Sequence, residues 1–566
     1  MSVKPIPHGI SNYRTIIEDG YAYVDKTMYI RSLEQADVYI LFLRPRRFGK
    51  SLFTTMLGYY YDIAQKDNFD LLFSSTDIGR NPSPEKNAYY VLQFDFSGIS
   101  TDSDEILLDD FTQRVRATLL AFCERYHLDI TLEMKSPHAQ LFQFFTQFQV
   151  KCDGKIYVII DEYDHFANEL LGSNPETFKG VVTENGFLRT WYEVLKLASK
   201  TVVKRIFITG VSPITLDSLT SGFNIATNLS MRGRFNGMMG FTRSEVEQLI
   251  QETISEELPS DLMDTLTDYY NGYCFSKSGK EQVFNSDMVL YYLNHYRQEH
   301  EPPDTLLSRS AVSDYGKLES LITFQANEDN FEILKEIVFE GYTVAELTES
   351  FTIGQEFTSE HLKSLLFYLG LLTIKETDLG AARLQIPNLV MNGLYFKFLL
   401  KIITREADYI PNTKHITNAM VKLARENSCD KFIAVVEDLL HSISNRDSQR
   451  FSEAQIKIAM AAYAGISQLY LVKSEYEVEK QYVDLVFFPQ DKRAGLDTLL
   501  FEIKYIKKED VPDPNSESGK KIIAGKLAEA EKQLQKYSSA KEFRKTTCWA
   551  LVFVGDKCHA NTCLPK

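Results

Sequence analysis

Cysteine is scarce in this chain: seven residues in 566, scattered from Cys123 to Cys563 with no C-x-x-C pair. That argues against a disulfide scaffold and a zinc ribbon, and it suits a reducing compartment, the cytoplasm. Cys548, Cys558 and Cys563 with His559 could bind metal; ordinary strand and tail thiols are the simpler reading. Long apolar runs are also missing. The longest, such as Leu365 to Leu372, fall far short of a bilayer span, so no membrane partner is expected. The opening stretch MSVKPIPHGISNYR lacks the apolar core of a secretory signal. No internal repeat is visible. A basic excess is absent too: 62 Lys and Arg against 77 Asp and Glu give a formal charge of −15. This disfavours a general nucleic-acid coat but not a local basic groove, because steering depends on where charge sits.

What is present is a folded composition, 44% hydrophobic and 25% charged, on a chain long enough for several domains. Residues 1–285 alternate short apolar strands with amphipathic segments, the pattern of an α/β domain with a parallel sheet. The expected strands are Val38–Leu43, Tyr90–Phe96, Ile156–Ile160 and Arg205–Thr209. Residues 286–444 read as mainly helical. Within them LKSLLFYLGLLTIKETDLGAARLQIPN predicts a helix and two short strands around Gly380, either a winged-helix-like module or a plain connector with one hairpin. In residues 445–566 a helix precedes three strands and another helix, with KKEDVPDPNSESGKK as an exposed loop.

The stretch LFLRPRRFGKSLF closes like a phosphate loop, with Gly49-Lys50-Ser51, but has Arg44 where the G-x-x-x-x-G-K-[ST] pattern opens on glycine. Val38–Leu43 supplies the strand, and a helix begins at Ser51. Lys50 would reach the β- and γ-phosphates, Ser51 would ligate Mg²⁺, and Gly49 would admit close backbone approach. Pro45 removes one N–H donor. Arg46 and Arg47 would compensate with fixed positive charge. The competing reading is a solvated basic turn.

Two further stretches strengthen the nucleotide reading. KIYVIIDEYDHF is an apolar strand ending in Asp161, a candidate Mg²⁺ ligand, and Glu162, a candidate base for an attacking water. It follows Lys50 by 111 residues, room for the Tyr90–Phe96 strand as an insertion between loop and acid. This is the layout of the additional-strand, catalytic-glutamate class of P-loop ATPases. RIFITGVSP ends a strand in Thr209, a candidate γ-phosphate sensor, with Ser212 close behind. Arg232 or Arg234 would be an arginine finger, implying a homo-oligomer if it acts in trans, or else a surface salt bridge.

Near the end, YVDLVFF and LLFEIKYI read as strands. Glu502 and Lys504, two apart, share one strand face. Asp484 and Glu502 would hold Mg²⁺, and Lys504 would polarise a water or steady a phosphate. The alternative is a cross-strand salt bridge. Ser452 and Gln455 form a capping box, with Gly465 expected to end that helix and Glu453 in its first turn as an additional ligand. Helix, strand with Asp, strand with E-x-K and helix carrying Gln533 match a restriction-endonuclease-like core.

GYAYVDKT, RPRRFGKSL, IIDEYD, ITGVSP and YYNGYCFS, occurring in that order, resemble the AAA-ATPase-like domain that precedes a PD-(D/E)XK nuclease domain in many bacterial proteins. The resemblance implies that arginine at the first loop position is a family trait. It implies Asp484, Glu502 and Lys504 as nuclease residues, with Glu453, Glu475, Glu477 and Gln533 as accessories. EKQY, Glu479 to Tyr482, replaces the family's Gly-x-Gly-Arg run, so the arginine is lost. The expected function is an ATP-binding, ATP-hydrolysing regulator joined to a Mg²⁺-dependent nuclease, with DNA ahead of RNA as partner. Two alternatives stay open: a nucleotide-dependent signalling or interaction module that does not cut, and an ATPase remodeller.

Overall fold

The structure is a computed structural model that describes residues 3–166, 186–213, 225–254, 259, 261–278, 281–308, 311, 328–349, 358–444, 452–478, 481–491, 494–538, 543 and 545–564. The chain forms two compact units. One comprises Met1–Pro303, Ser308–Leu321 and Val344–Leu384; the other comprises Asp304–Leu307, Ile322–Thr343 and Gln385–Lys566.

In the first unit β1 (Tyr39–Leu43), β2 (Tyr90–Asp95), β3 (Ile156–Asp161), β4 (Val203–Gly210) and β5 (Thr227–Asn228) form a parallel sheet in the order β2-β3-β4-β1-β5. Every residue of β3 is buried, as expected for a parallel strand covered on both faces. The Lys50–Tyr61 helix packs on β2 and β3, and the Asp104–Arg125 helix packs on β2. This is a P-loop-like architecture with the added strand of its class, but the added strand is not the expected one. Tyr90–Asp95 takes the sheet edge, and β4 lies between β1 and β3. Helical crossovers separate order in the chain from order in the sheet, so spacing alone misassigned it.

Arg44 is a structural residue. It is 1% exposed, and its Nη1 donates to the carbonyls of Leu43 (2.9 Å) and Ser230 (2.7 Å) while Nη2 donates to that of Phe235 (3.0 Å). Its guanidinium lies 4.2 Å from the ring centre of Phe42 and 4.3 Å from that of Phe275. A glycine could make none of these contacts.

Three further strands, β6 (Thr343–Ala345), β7 (Thr373–Asp378) and β8 (Ala381–Gln385), pair in the order β6-β8-β7 and lie in this unit except for the end residues Thr343 and Gln385; the Ser359–Tyr368 helix falls between β6 and β7 along the chain. The expected hairpin is there, with β6 as a third strand that the sequence reading omitted. Gly370, at φ 78°, sits where an added Cβ would come within 2.9 Å of the Pro45 ring.

The second unit is built on β9 (Tyr470–Val478), β10 (Gln481–Pro489), β11 (Thr498–Ile506), β12 (Thr546–Val554) and β13 (Lys557–Leu564), in the order β13-β12-β11-β10-β9. Only β11 and β12 pair in parallel; the other pairs are antiparallel. The Glu517–Ser538 helix makes that crossover, burying Ala530 and Leu534 against Val483, Val486, Leu500 and Ala550. The Glu453–Ser467 helix packs on β9, β10 and β11. Its capping box joins Ser452 and Gln455 as expected, but it continues past Gly465 and ends with Gln468 in the left-handed conformation at φ 58°. This mixed sheet matches a PD-(D/E)XK-like fold. Among the described residues no helix is long and apolar enough to cross a membrane.

Replacing Arg44 by methionine keeps the stem but orphans buried carbonyls, and should cost about 2–4 kcal/mol. Urea unfolding followed by Trp191 fluorescence in a Trp549→Phe background measures it.

Candidate functional site

The phosphate-loop residues converge at the carboxyl end of the parallel sheet. Arg47 and Gly49 both take positive φ, 70° and 87°, and the helix starts at Lys50. Lys50 is 6% exposed, and its Nζ donates to the carbonyls of Arg44 (3.1 Å) and Pro45 (3.0 Å). Burial pushes its ammonium down, opposed by Glu162, Asp161 and Asp164. Ser51 hydrogen-bonds Asp161, and the Thr54 hydroxyl donates to the same carboxylate at 3.3 Å. Burial pushes Asp161 up to about 6 against the pull of Ser51 and Lys50.

Glu162 stands next along, at φ 51°, with Oε2 3.0 Å from His165 Nδ1. Burial pushes its carboxyl up, but His165, Lys50 and Arg46 together outweigh this and hold it below its ordinary value. Asp164, which the sequence reading left unassigned, accepts from the N–H groups of Val211 and Ser212 and so fixes the turn after β4.

The loop forms one wall of a cavity of about 390 Å³. Arg46 through Phe53, Glu162 and His165 line it, facing Pro7, Ile10, Tyr23, Met239 and Phe241. The N-terminal segment and Met239–Phe241 were not foreseen as walls, since no phosphate-binding pattern extends to them. Other expected residues are engaged elsewhere. Arg47 pairs with Asp287 at 2.8 Å while still lining the cavity. Thr209 is fully buried and donates to the Phe42 carbonyl at 2.7 Å. Arg234 donates to Ser32 and Gln35, and Arg232 is exposed.

In the second unit the sheet brings carboxylates to one level. The pairs Tyr476–Val483 and Ser474–Leu485 set Glu475 opposite Asp484. The β10–β11 register, Val486 with Leu500 and Leu485 with Phe501, carried one step further sets Asp484 beside Glu502. There the Ile503 N–H donates to Asp484 Oδ2 at 2.6 Å, and Lys504 Nζ donates to Glu502 Oε1 at 2.7 Å. The structure therefore brings Asp484, Glu502 and Lys504 together. Glu502 is 2% exposed; burial and the charge of Asp484 push it up to about 7 against the pull of Lys504. Its Oε2 is buried without a hydrogen-bond partner, and so is Gln533 Oε1.

Two residues near this level escaped the sequence reading. Lys457, one turn after Glu453, places Nζ 3.0 Å from Glu453, 2.7 Å from Glu475 and 2.7 Å from Asp484. Tyr537, one turn after Gln533, is pushed up to about 12 by burial and by the charges of Glu502, Asp484 and Glu475. The i, i+4 spacing to residues already singled out was the available signal for both. Glu475 adopts φ 47°, a conformation that costs a strand residue about 1–3 kcal/mol. Glu477 is exposed on β9. Glu479 lies outside the described residues; Tyr482, in the expected arginine position, is 54% exposed. Among the described residues no group of three or more His, Cys, Asp or Glu side chains is arranged to hold a metal ion. The three carboxylates that do meet are taken by Lys457. All seven cysteines are free thiols.

Residues 7–220 match the family described as Predicted AAA-ATPase, and residues 451–563 match the PD-(D/E)XK nuclease superfamily. A protein of Azotobacter chroococcum mcd 1, described as an uncharacterized protein in the vnfD 5' region, is 27% identical over 437 residues, covering 74% of this chain and 75% of that protein.

The raised value of Glu502 sets a pH dependence. Its native state holds a proton that the unfolded chain, at the ordinary 4.5, has released. Stability from this group is complete below about 4.5 and lost as pH rises through about 7. In EDTA, Trp549 fluorescence in a Trp191→Phe background should show this slope, and Glu502→Gln should lack it, a difference of at most about 3 kcal/mol.

Proposed function

We propose that this chain, which carries an N-terminal AAA-ATPase-like domain and a C-terminal PD-(D/E)XK nuclease-like domain, is an ATP-binding and ATP-hydrolysing regulator joined to a Mg²⁺-dependent nuclease. The domain limits are taken as 1–285, 286–444 and 445–566. The observation that carries the reading is the alignment of Glu475, Asp484 and Glu502 across three strands with Lys504 bonded to Glu502.

At the nucleotide end, Lys50 would exchange two loop carbonyls for phosphate oxygens. Ser51 and Asp161 would hold Mg²⁺, and Glu162, kept ionised by His165 and Lys50, would orient water. Arg46 supplies positive charge at the cavity wall. The apolar wall opposite the loop suits a nucleobase.

At the nuclease end, Asp484 and Glu502 would hold Mg²⁺. The residues fit that ion: Glu502 Oε2 is a buried oxygen lacking a partner, and Mg²⁺ takes one or two carboxylates and keeps its waters. The ion would supply charge neutralisation at the scissile phosphate and acidify a nearby water. Lys504, anchored by Glu502, steadies the phosphate or the attacking water, and Asp484 is held in place by the Ile503 N–H. The substrate is a nucleic-acid phosphodiester, with DNA ahead of RNA.

A second reading, binding without cutting, is favoured by Tyr482 in the arginine position. The discriminating experiment incubates the full chain with single- and double-stranded DNA and RNA, with and without Mg²⁺ and ATP. Mg²⁺-dependent cleavage should fall at least about 100-fold in Lys504→Ala and in Asp484→Asn. No cutting by the unaltered protein under any condition would leave the binding module. Lys50→Ala should abolish retention of labelled ATP while leaving metal-dependent cleavage without nucleotide intact.

A further inference from the structure

The ion pairs of Lys457 have no role in the reading above. We propose that Lys457 is a positioning residue that stands permanently where a second divalent cation would otherwise be required, so that the carboxylate site takes one Mg²⁺ and not two. The inference rests on the nuclease reading of this site and specifies its metal count.

Three features carry it. First, the Lys457 ammonium lies within 3.0 Å of carboxylates from three different elements: Glu453 on its own helix, Glu475 on β9 and Asp484 on β10. The lysine is 6% exposed, so its charge has few water contacts and depends on these oxygens. Second, Asp484 is gripped from both sides, Oδ1 by Lys457 at 2.7 Å and Oδ2 by the Ile503 N–H at 2.6 Å. Moving Lys457 moves the carboxylate expected to hold the metal.

Third, the formal charges balance for one ion. Once a bound cation displaces the proton of Glu502, Glu453, Glu475, Asp484 and Glu502 carry four negative charges, and Lys457 and Lys504 return two. The remainder equals the charge of one divalent cation. Glu502 Oε2, buried and without a partner, is an oxygen left for it. Without the Lys457 ammonium, three carboxylates would confront one another around its former position, and an oxygen-liganded divalent ion is the natural replacement. The left-handed backbone at Glu475 fits this role, because a strained residue there delivers its carboxylate to Lys457.

The test counts Mn²⁺ bound by the full chain without nucleotide. It uses electron paramagnetic resonance of the free ion and an Asp161→Asn background that removes the metal ligand expected at the phosphate loop. Lys457 protein should bind one ion that is lost with Asp484→Asn. Lys457→Met should bind two, and Lys457→Arg should restore one. Two ions in Lys457 protein, or one ion of unchanged affinity in Lys457→Met, would overturn the proposal. If Lys457→Met does not fold, the Lys457 count alone decides it. One ion without any cleavage of nucleic acid supports the metal count and sinks the nuclease reading; two ions with cleavage does the reverse. No ion sensitive to Asp484→Asn overturns both.

Discussion

A cation withdrawn from water must be met by oxygen lone pairs, and that constraint shapes both candidate sites. Lys50 meets it with two loop carbonyls, Arg44 with three backbone carbonyls and two aromatic rings, and Lys457 with three carboxylates. Neutral acceptors at Lys50 are readily exchanged for phosphate oxygens, which bind a charged donor more strongly. Charged acceptors at Lys457 are not. The two lysines thus differ in kind: one is poised to change partners, and the other is locked.

The same constraint explains which parts of the architecture were legible in the sequence. Four of the five parallel strands lay within two residues of their expected limits, because fully buried strands must be continuously apolar and phosphate loops must follow one of them; the two-residue β5 was not expected. The Glu502–Lys504 pair was legible because two charges at spacing two on an apolar strand contradict their surroundings, and the β10–β11 register sets Asp484 beside them. Lys457 was not, because a lysine four after a glutamate on a helix looks like an ordinary surface pair until tertiary packing buries it. The identity of the added strand was missed for a related reason: nothing local records which strand a crossover will carry a segment beside.

Arginine at the head of the phosphate loop was the departure that most complicated the sequence reading. In the fold it is not among the residues that line the cavity, and it binds the loop to the segment around Ser230 and Phe235. The residues from which the sequence reading sought charge at the phosphates, Arg46 and Arg47, line the cavity with Lys50, and Arg47 also pairs with Asp287. The proline that follows costs one donor but packs against Gly370, the one residue type small enough at that distance to let the ring sit there.

The guanidinium of Arg44 also bears on how tightly a guest can be held. Glycine has the most backbone freedom to lose when a loop is ordered. Here the side chain at the head of the loop is tied to the carbonyls of Leu43, Ser230 and Phe235. Under the nucleotide reading proposed above, less of the contact energy of a bound phosphate would go into ordering the backbone around it.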